Sequence, residues 1–410
     1  MRARGSYVFV VRGDADLDNL APIIWSCSQE DHRVVVLTTT SKVARKVRTA
    51  WWCSGSSKII VVERHGEDRS LFSRVGNIAT GNRYATRRWL RRLDAVLLCC
   101  EWSEGIGRAD RAVPRAERSW LLGNPVIQLQ YAARDLGIAT VALPHGHSTK
   151  TSLILNEHVR AVMKSNGGVL PFADRDSFAA YVFASEYHRK VIVQHSSMNG
   201  ANTCVWGSAR YNDVWVPRLY AESPQAKLPE LPSGAKRRVL FFVPKWQNLV
   251  DRSATMQLIA ALGADDRVQL VVRGHLRAEA AALAPEERAV LERGNVVLIT
   301  DDVSSASLIK ACDVVVDVDS SIAFDAVLLG KPYVRPRYLQ DASVKTIWDE
   351  LGGAHQTSSL ADTVALLSSD ALEPAGRHHT FDGVVFGGDG ATVLARYRDG
   401  LRSLAAQSLV

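Results

Sequence analysis

Residues 313–334 read DVVVDVDSSIAFDAVLLGKPYV, and the period of the pattern changes in the middle. Val314, Val315, Val316 and Val318 form a β-branched run that suits one buried strand. Past Asp319, Ser320 and Ser321 can cap a helix whose apolar residues fall at Ile322, Phe324, Val327, Leu328 and Leu329. Gly330, Lys331 and Pro332 stop that helix, and Tyr333 and Val334 open another apolar run. The stretch predicts strand, tight turn, helix, strand. A helix that begins where a parallel strand ends aims backbone N–H groups and the positive end of its dipole at one point, which suits a phosphate. Two serines that only cap a helix would look the same locally, and Asp319 reads as a structural residue of the turn.

The rhythm repeats upstream. Residues 238–244 (RVLFFVP), 268–272 and 296–300 read as strands, with helical patterns over 256–262, 286–293 and 304–312 between them. Polar or cationic residues follow successive strands: Lys245, then Arg273 and His275, then Ser320 and Ser321. If the strands are parallel neighbours, these side chains meet at one sheet edge and make a diphosphate site. Before this half lies a stretch containing Pro217, Pro224, Pro229 and Pro232, which reads as a linker over 217–235. The expected division is thus an N-terminal domain over 1–216 and a C-terminal domain over 236–410.

The N-terminal half carries the same alternation. Strand patterns fall at 7–12, 34–40, 58–63, 93–100, 138–143, 181–185 and 203–206, with helical patterns at 20–27, 124–135 and 186–195. Asp14, Asp16 and Asp18 precede the first helical pattern and read as acids of its opening turn. The strand at 138–143 runs into Pro144-His145-Gly146-His147. That places an imidazole at the carboxyl edge of a sheet, where open α/β sheets bind ligands. His145 is either a turn histidine or a general base. The fold class predicted is α/β, with two doubly wound, Rossmann-like domains facing each other across a cleft.

With 47% hydrophobic and 23% charged residues, the 410-residue chain has the composition of a globular enzyme with two cores. Its apolar runs are too short for a spanning helix or signal peptide, so a cytoplasmic protein is expected. The six cysteines form no CxxC pair and read as buried thiols. Neither His145 with His147 nor His378 with His379 has a third ligand at suggestive spacing, so no metal is expected. The net charge of +7 favours anionic partners. Part of the excess lies in RYATRRWLRR, residues 83–92, where Arg83, Arg87, Arg88, Arg91 and Arg92 share one half of a helical wheel. That half is a solvated face or a surface for anionic lipid or an acidic polymer, which would put the protein peripherally on the inner face of the plasma membrane. Nucleic-acid motifs are absent from the sequence.

Several of these residues carry a family resemblance. Pro144-His145-Gly146, Arg273-Gly274-His275, the block from Asp317 to Pro332 with its paired serines and Asp325, and Gly388-Asp389-Gly390-Ala391 together resemble motifs of the CDP-glycerol glycerophosphotransferase and capsule-polysaccharide transferase group. Leu276 stands where that group often has proline. The resemblance implies a two-domain GT-B architecture and a cytidine- or uridine-diphosphate-type donor on the C-terminal domain. It further implies a metal-independent, cofactor-free transfer to a carbohydrate or lipid-linked acceptor in capsule, teichoic-acid-like or lipopolysaccharide synthesis. In this reading Arg273 and His275 clamp the phosphates, Ser320 and Ser321 hold a phosphate, Asp325 reaches the ribose or donor group, and His145 takes the acceptor proton. A UDP-N-acetylglucosamine 2-epimerase shares the fold but wants acids in the cleft, for which Glu101 and Glu104 are the candidates. A catalytically silent nucleotide-sugar-binding protein is the third reading.

Overall fold

Runs of valine and leucine flanked by helical patterns have one stable solution, a parallel sheet covered on both faces. In the computed structural model this occurs twice. The structure describes residues 5–30, 32–63, 83–101, 125–144, 157–165, 167–168, 178–196, 198, 200–274, 285–292, 294–299, 303–318, 320–376 and 381–407.

The first sheet has seven parallel strands: β1 (Ser6–Val11), β2 (Arg33–Thr38), β3 (Ile59–Glu63), β4 (Ala95–Glu101), β5 (Ala139–Leu143), β6 (Ala180–Phe183) and β7 (Thr203–Val205). Their order is β3-β2-β1-β4-β5-β6-β7. The second sheet has six: β8 (Arg237–Phe242), β9 (Val268–Arg273), β10 (Val296–Ile299), β11 (Val314–Val316), β12 (Tyr333–Pro336) and β13 (His355–Thr357). Their order is β10-β9-β8-β11-β12-β13. Both orders reverse once, between β1 and β4 and between β8 and β11. These reversals are the points where doubly wound sheets open a crevice at their carboxyl ends. The central strands are buried almost end to end, as sheets covered on both faces require.

The chain separates into two compact units. The first comprises Met1–His147, Asn166–Arg210 and Val384–Val410, and the second Ser148–Ser165 and Tyr211–Gly383. This differs from a division at residues 217–235. The last helix, Gly390–Gln407, buries Val393, Leu394, Tyr397 and Leu401 in the first unit. Tyr397 donates to the carbonyl of Gly207 at 2.9 Å and meets Trp206 edge-on at 5.3 Å. The start of the expected linker is also helical, over Trp215–Glu222. Pro217 sits in its first turn, where a missing N–H costs nothing. The Gly388–Ala391 motif has a local job here. Asp389 accepts from the Thr392 N–H at 2.9 Å and so caps the last helix.

All six cysteines are free thiols, five of them buried. Among the described residues no helix is long and apolar enough to cross a membrane.

Candidate functional site

The second unit gathers its chemistry at the carboxyl edge of three neighbouring strands. Register pairs Phe242 with Arg273 across β8 and β9, and Phe241 with Val316 across β8 and β11. At roughly 4.8 Å per strand, the ends of β9 and β11 lie on the order of 10 Å apart, with β8 between them. Arg273 is the last residue of β9 and is 3% exposed. Its carbonyl receives the Val243 N–H at 2.9 Å, which ties the chain leaving β8 to β9. Two residues later Lys245, half-exposed, opens a short turn over Trp246–Asn248. That turn ends at Leu249 in left-handed backbone, φ 59°. Its other side is fastened to the loop after β12, where the Asp251 N–H meets the Leu339 carbonyl at 2.7 Å.

After β11 the chain makes the turn read from the sequence, and its hydrogen bonds are explicit. The Asp317 carboxylate accepts from the Ser320 N–H at 2.6 Å. The Ser320 hydroxyl accepts from the Ile322 N–H at 3.3 Å. The Ala323 and Phe324 N–H groups turn back to the carbonyls of Ser320 and Ser321. The helix that follows, Ala323–Leu328, has only six residues. The bare helix N-terminus expected for a phosphate is therefore largely capped from within. What the turn presents is the half-exposed pair Ser320 and Ser321.

Side chains from elsewhere hold this turn. Arg335, 0% exposed, donates to the Val318 carbonyl at 3.2 Å, to Asp349 at 2.9 Å and to Gln340 and Gln356 at 2.8 Å. Tyr333 donates to the Asp317 carbonyl at 3.2 Å. Tyr211 donates to the Ser321 hydroxyl at 3.1 Å and packs on Phe324 at 5.2 Å. Phe324, Trp348 and Phe381 continue the aromatic layer beneath. Burial alone would raise the Asp349 carboxyl, but the Thr346 N–H and the Arg335 charge bring it below the ordinary value. Lys331 is also spent on structure. Its half-buried ammonium donates to the Cys312 carbonyl, and desolvation lowers its pKa.

Asp325, expected at the ribose or donor group, is 0% exposed in the short helix after the turn. His145, His275, Asp319 and Glu104 lie outside the described residues, as does the side chain of Arg83.

At the reversal in the first sheet sits a cluster the motifs did not announce. Arg12, just past β1, donates to Asp16 at 2.7 and 3.1 Å and to Glu101 at 3.2 Å. Asn19 donates to the other oxygen of Glu101 at 2.8 Å. Glu101 ends β4, and its side chain is fully buried. Burial, and then the neighbouring Glu101, raise the Asp16 carboxyl to about 6 against the pull of Arg12. Asp18 instead pairs with Arg210 at 2.8 Å. Only Asp14 is left as a plain first-turn acid, exposed and paired with Lys46 at 2.9 Å. The signal for the cluster was present in the sequence as a cation closing the first strand pattern and an acid directly after the fourth. Asn19, Pro144, Ser208 and Arg210 line a small pocket beside it.

No known family model and no curated protein matches the chain. Solved structures do. The chain resembles a UDP-N-acetylglucosamine 2-epimerase described for Listeria monocytogenes, with a TM-score of 0.57 at 11% identity over 98% of both chains. A second structure titled as a UDP-N-acetylglucosamine 2-epimerase gives 0.56 at 13% identity over 98% of this chain and 96% of that one. The wall teichoic acid polymerase TagF, soaked with CDPG, gives 0.51 at 12% identity over 98% of this chain and 89% of that one. At these identities the likeness shows the fold: two parallel-sheet α/β domains of the kind shared by nucleotide-sugar epimerases and GT-B transferases.

Proposed function

We propose that this chain transfers a glycosyl or glycerol-phosphate unit from a CDP-, CMP- or UDP-activated donor to an acceptor hydroxyl in the building of a surface carbohydrate. The acceptor is a carbohydrate or is lipid-linked. The observation that carries the proposal is the convergence of Lys245, Arg273 and the serine turn on three adjacent strand ends, around the reversal in the second sheet. The motif resemblance at those positions and the TagF-like fold support it.

In this reading the difficulty of the reaction lies in the leaving group. A nucleotide phosphate departs with growing negative charge, which fixed cations and hydroxyl donors offset. Arg273 and Lys245 supply the cations, His275 joins them, and the turn of Ser320 and Ser321 meets the phosphate through the Ser321 hydroxyl, with Ser320 bracing the turn. No resident metal or cofactor has a part in the scheme. His145, which follows Pro144 at the end of β5, takes the proton from the acceptor.

Thermal shift with CMP, CDP, UDP and GDP tests the donor side, because a ligand bound only by the native state raises the melting temperature. One pyrimidine nucleotide should stand out, and Arg273→Ala should lose the shift. Equal shifts in wild type and Arg273→Ala would remove the clamp. Epimerisation is the second reading, favoured by the epimerase folds. It needs cleft acids, and Glu101 is enclosed by Arg12 and Asn19. Turnover of UDP-N-acetylglucosamine without any acceptor would decide for it. Nucleotide binding with no turnover, unchanged by His145→Ala, would decide for a silent binding protein.

A further inference from the structure

The helix Arg83–Arg92 sorts its arginines in a way the wheel alone did not show. Thr86 and Leu90 are buried and face the sheet. Arg87 points sideways to Asp135 of the adjacent helix Pro125–Asp135, at 2.8 Å, and is spent there. Arg88, Arg91 and Arg92 remain on the outer arc, all exposed. Trp89 and Leu93 lie half-buried along one flank of that arc. The neighbouring helix adds exposed Arg134, whose guanidinium lies 5.8 Å from the ring of half-buried Tyr131. Each helix is followed by a parallel strand, β4 or β5, so both C-terminal turns finish at the same edge of the sheet. Arg91, Arg92 and Arg134 are therefore together at that edge, with Asp94 and the Arg87-paired Asp135 the exposed acids beside them.

We propose that this two-helix face docks on an anionic phospholipid surface. Cations on the outer arc supply long-range attraction to lipid phosphates. An indole and a phenol half-sunk at the margin are the residue types that settle at a headgroup boundary. A soluble polyanion would use the same arginines but would gain nothing from an apolar margin. The inference does not depend on the transfer reaction.

The test is co-sedimentation of the full chain with phosphatidylcholine vesicles containing 30% or so phosphatidylglycerol, against pure phosphatidylcholine, across salt concentrations. Binding is expected only to the anionic vesicles and should fade as salt screens it. Arg88→Gln/Arg91→Gln/Arg92→Gln should cut the partition coefficient on the order of 100-fold. Because these side chains are exposed, that variant should keep the wild-type melting temperature. Trp89→Ala should weaken vesicle binding without changing retention on a soluble polyanion such as polyphosphate. Absence of binding to anionic vesicles, an undiminished triple variant, or tighter binding to polyphosphate than to vesicles would each overturn the proposal.

Discussion

Replacing Asp16 by asparagine should change how the stability of this protein depends on pH, and the structure fixes the sign. Asp16 is buried beside Glu101 with Arg12 against both, and its carboxyl is raised from 3.8 to about 6. A carboxyl whose pKa is higher when folded binds its proton better in the folded state. Its contribution is therefore complete below the unfolded value and is lost as pH rises through the folded one. The window runs from about pH 4 to pH 7. Moving the carboxyl from 3.8 to about 6 corresponds to at most about 3 kcal/mol. For a unit of this size, 1 kcal/mol moves the midpoint by about 2–4 °C, so the full effect is on the order of 6–12 °C. Asparagine keeps the shape but holds no titrating proton. Scanning calorimetry of both proteins from pH 4.5 to 7.5 at constant ionic strength should show the wild-type advantage over Asp16→Asn shrinking as pH rises. The offset between the curves also contains the lost pairing with Arg12, so the slope of the difference is the informative quantity. Parallel curves over that range would show that the Asp16 carboxyl is not raised in the folded state.

Arg335→Met should destabilise the second unit by about 3 kcal/mol in denaturant unfolding, since it strips four acceptors of a buried cation. The effect should fall at the low end of such losses, because Arg337 still lies 3.3 Å from Asp349. Gly387→Ala should cost more than about 2 kcal/mol: φ is +80° there, and a Cβ would come within 2.5 Å of the Gly207 Cα. On the functional side, His145→Ala should spare nucleotide binding in the thermal-shift assay and abolish transfer.

Much of the architecture was legible because strand burial and residue type agree. The runs at Tyr7, Val34, Val96, Val239, Val268 and Val314 are predominantly apolar stretches rich in valine, and each became a strand of a covered sheet. β13 was not legible. His355–Thr357 is three residues with no apolar alternation, recruited as an edge by pairing with β12. The helix Ser41–Thr49 also passed unmarked, because Val43, Ala44 and Val47 give too narrow a stripe among its basic residues. The return of the last helix to the first unit was hidden for another reason. Tyr397 and Gly207 lie nearly two hundred residues apart, and no local pattern encodes that contact. At the site, residues at strand ends could be located from sequence, but their availability could not. Asp325 and Arg273 are both almost fully buried, Asp317 accepts from the Ser320 N–H within the turn, and the Arg12 cluster depends on two strand ends meeting.

The two serines now separate into different roles, and the separation can be measured. Ser320 is bound into the turn at two points, its N–H to Asp317 and its hydroxyl oxygen to the Ile322 N–H. Ser321 accepts from the Tyr211 hydroxyl, which leaves its own proton directed away from Tyr211. A hydroxyl polarised in this way is the better donor to a phosphate oxygen. Under the proposed function, Ser321→Ala should weaken binding of the favoured nucleotide roughly tenfold, the scale of one charge-assisted hydrogen bond. Tyr211→Phe should give part of that loss without contacting the nucleotide. Ser320→Ala should instead lower stability by about 1 kcal/mol, as a lost cap does, and leave affinity within a few-fold. Titration calorimetry on the three variants, with unfolding measured in parallel, distinguishes the cases. Equal affinity losses at both serines would return them to a shared phosphate grip. No loss at either would mean that Lys245 and Arg273 hold the phosphate without the turn.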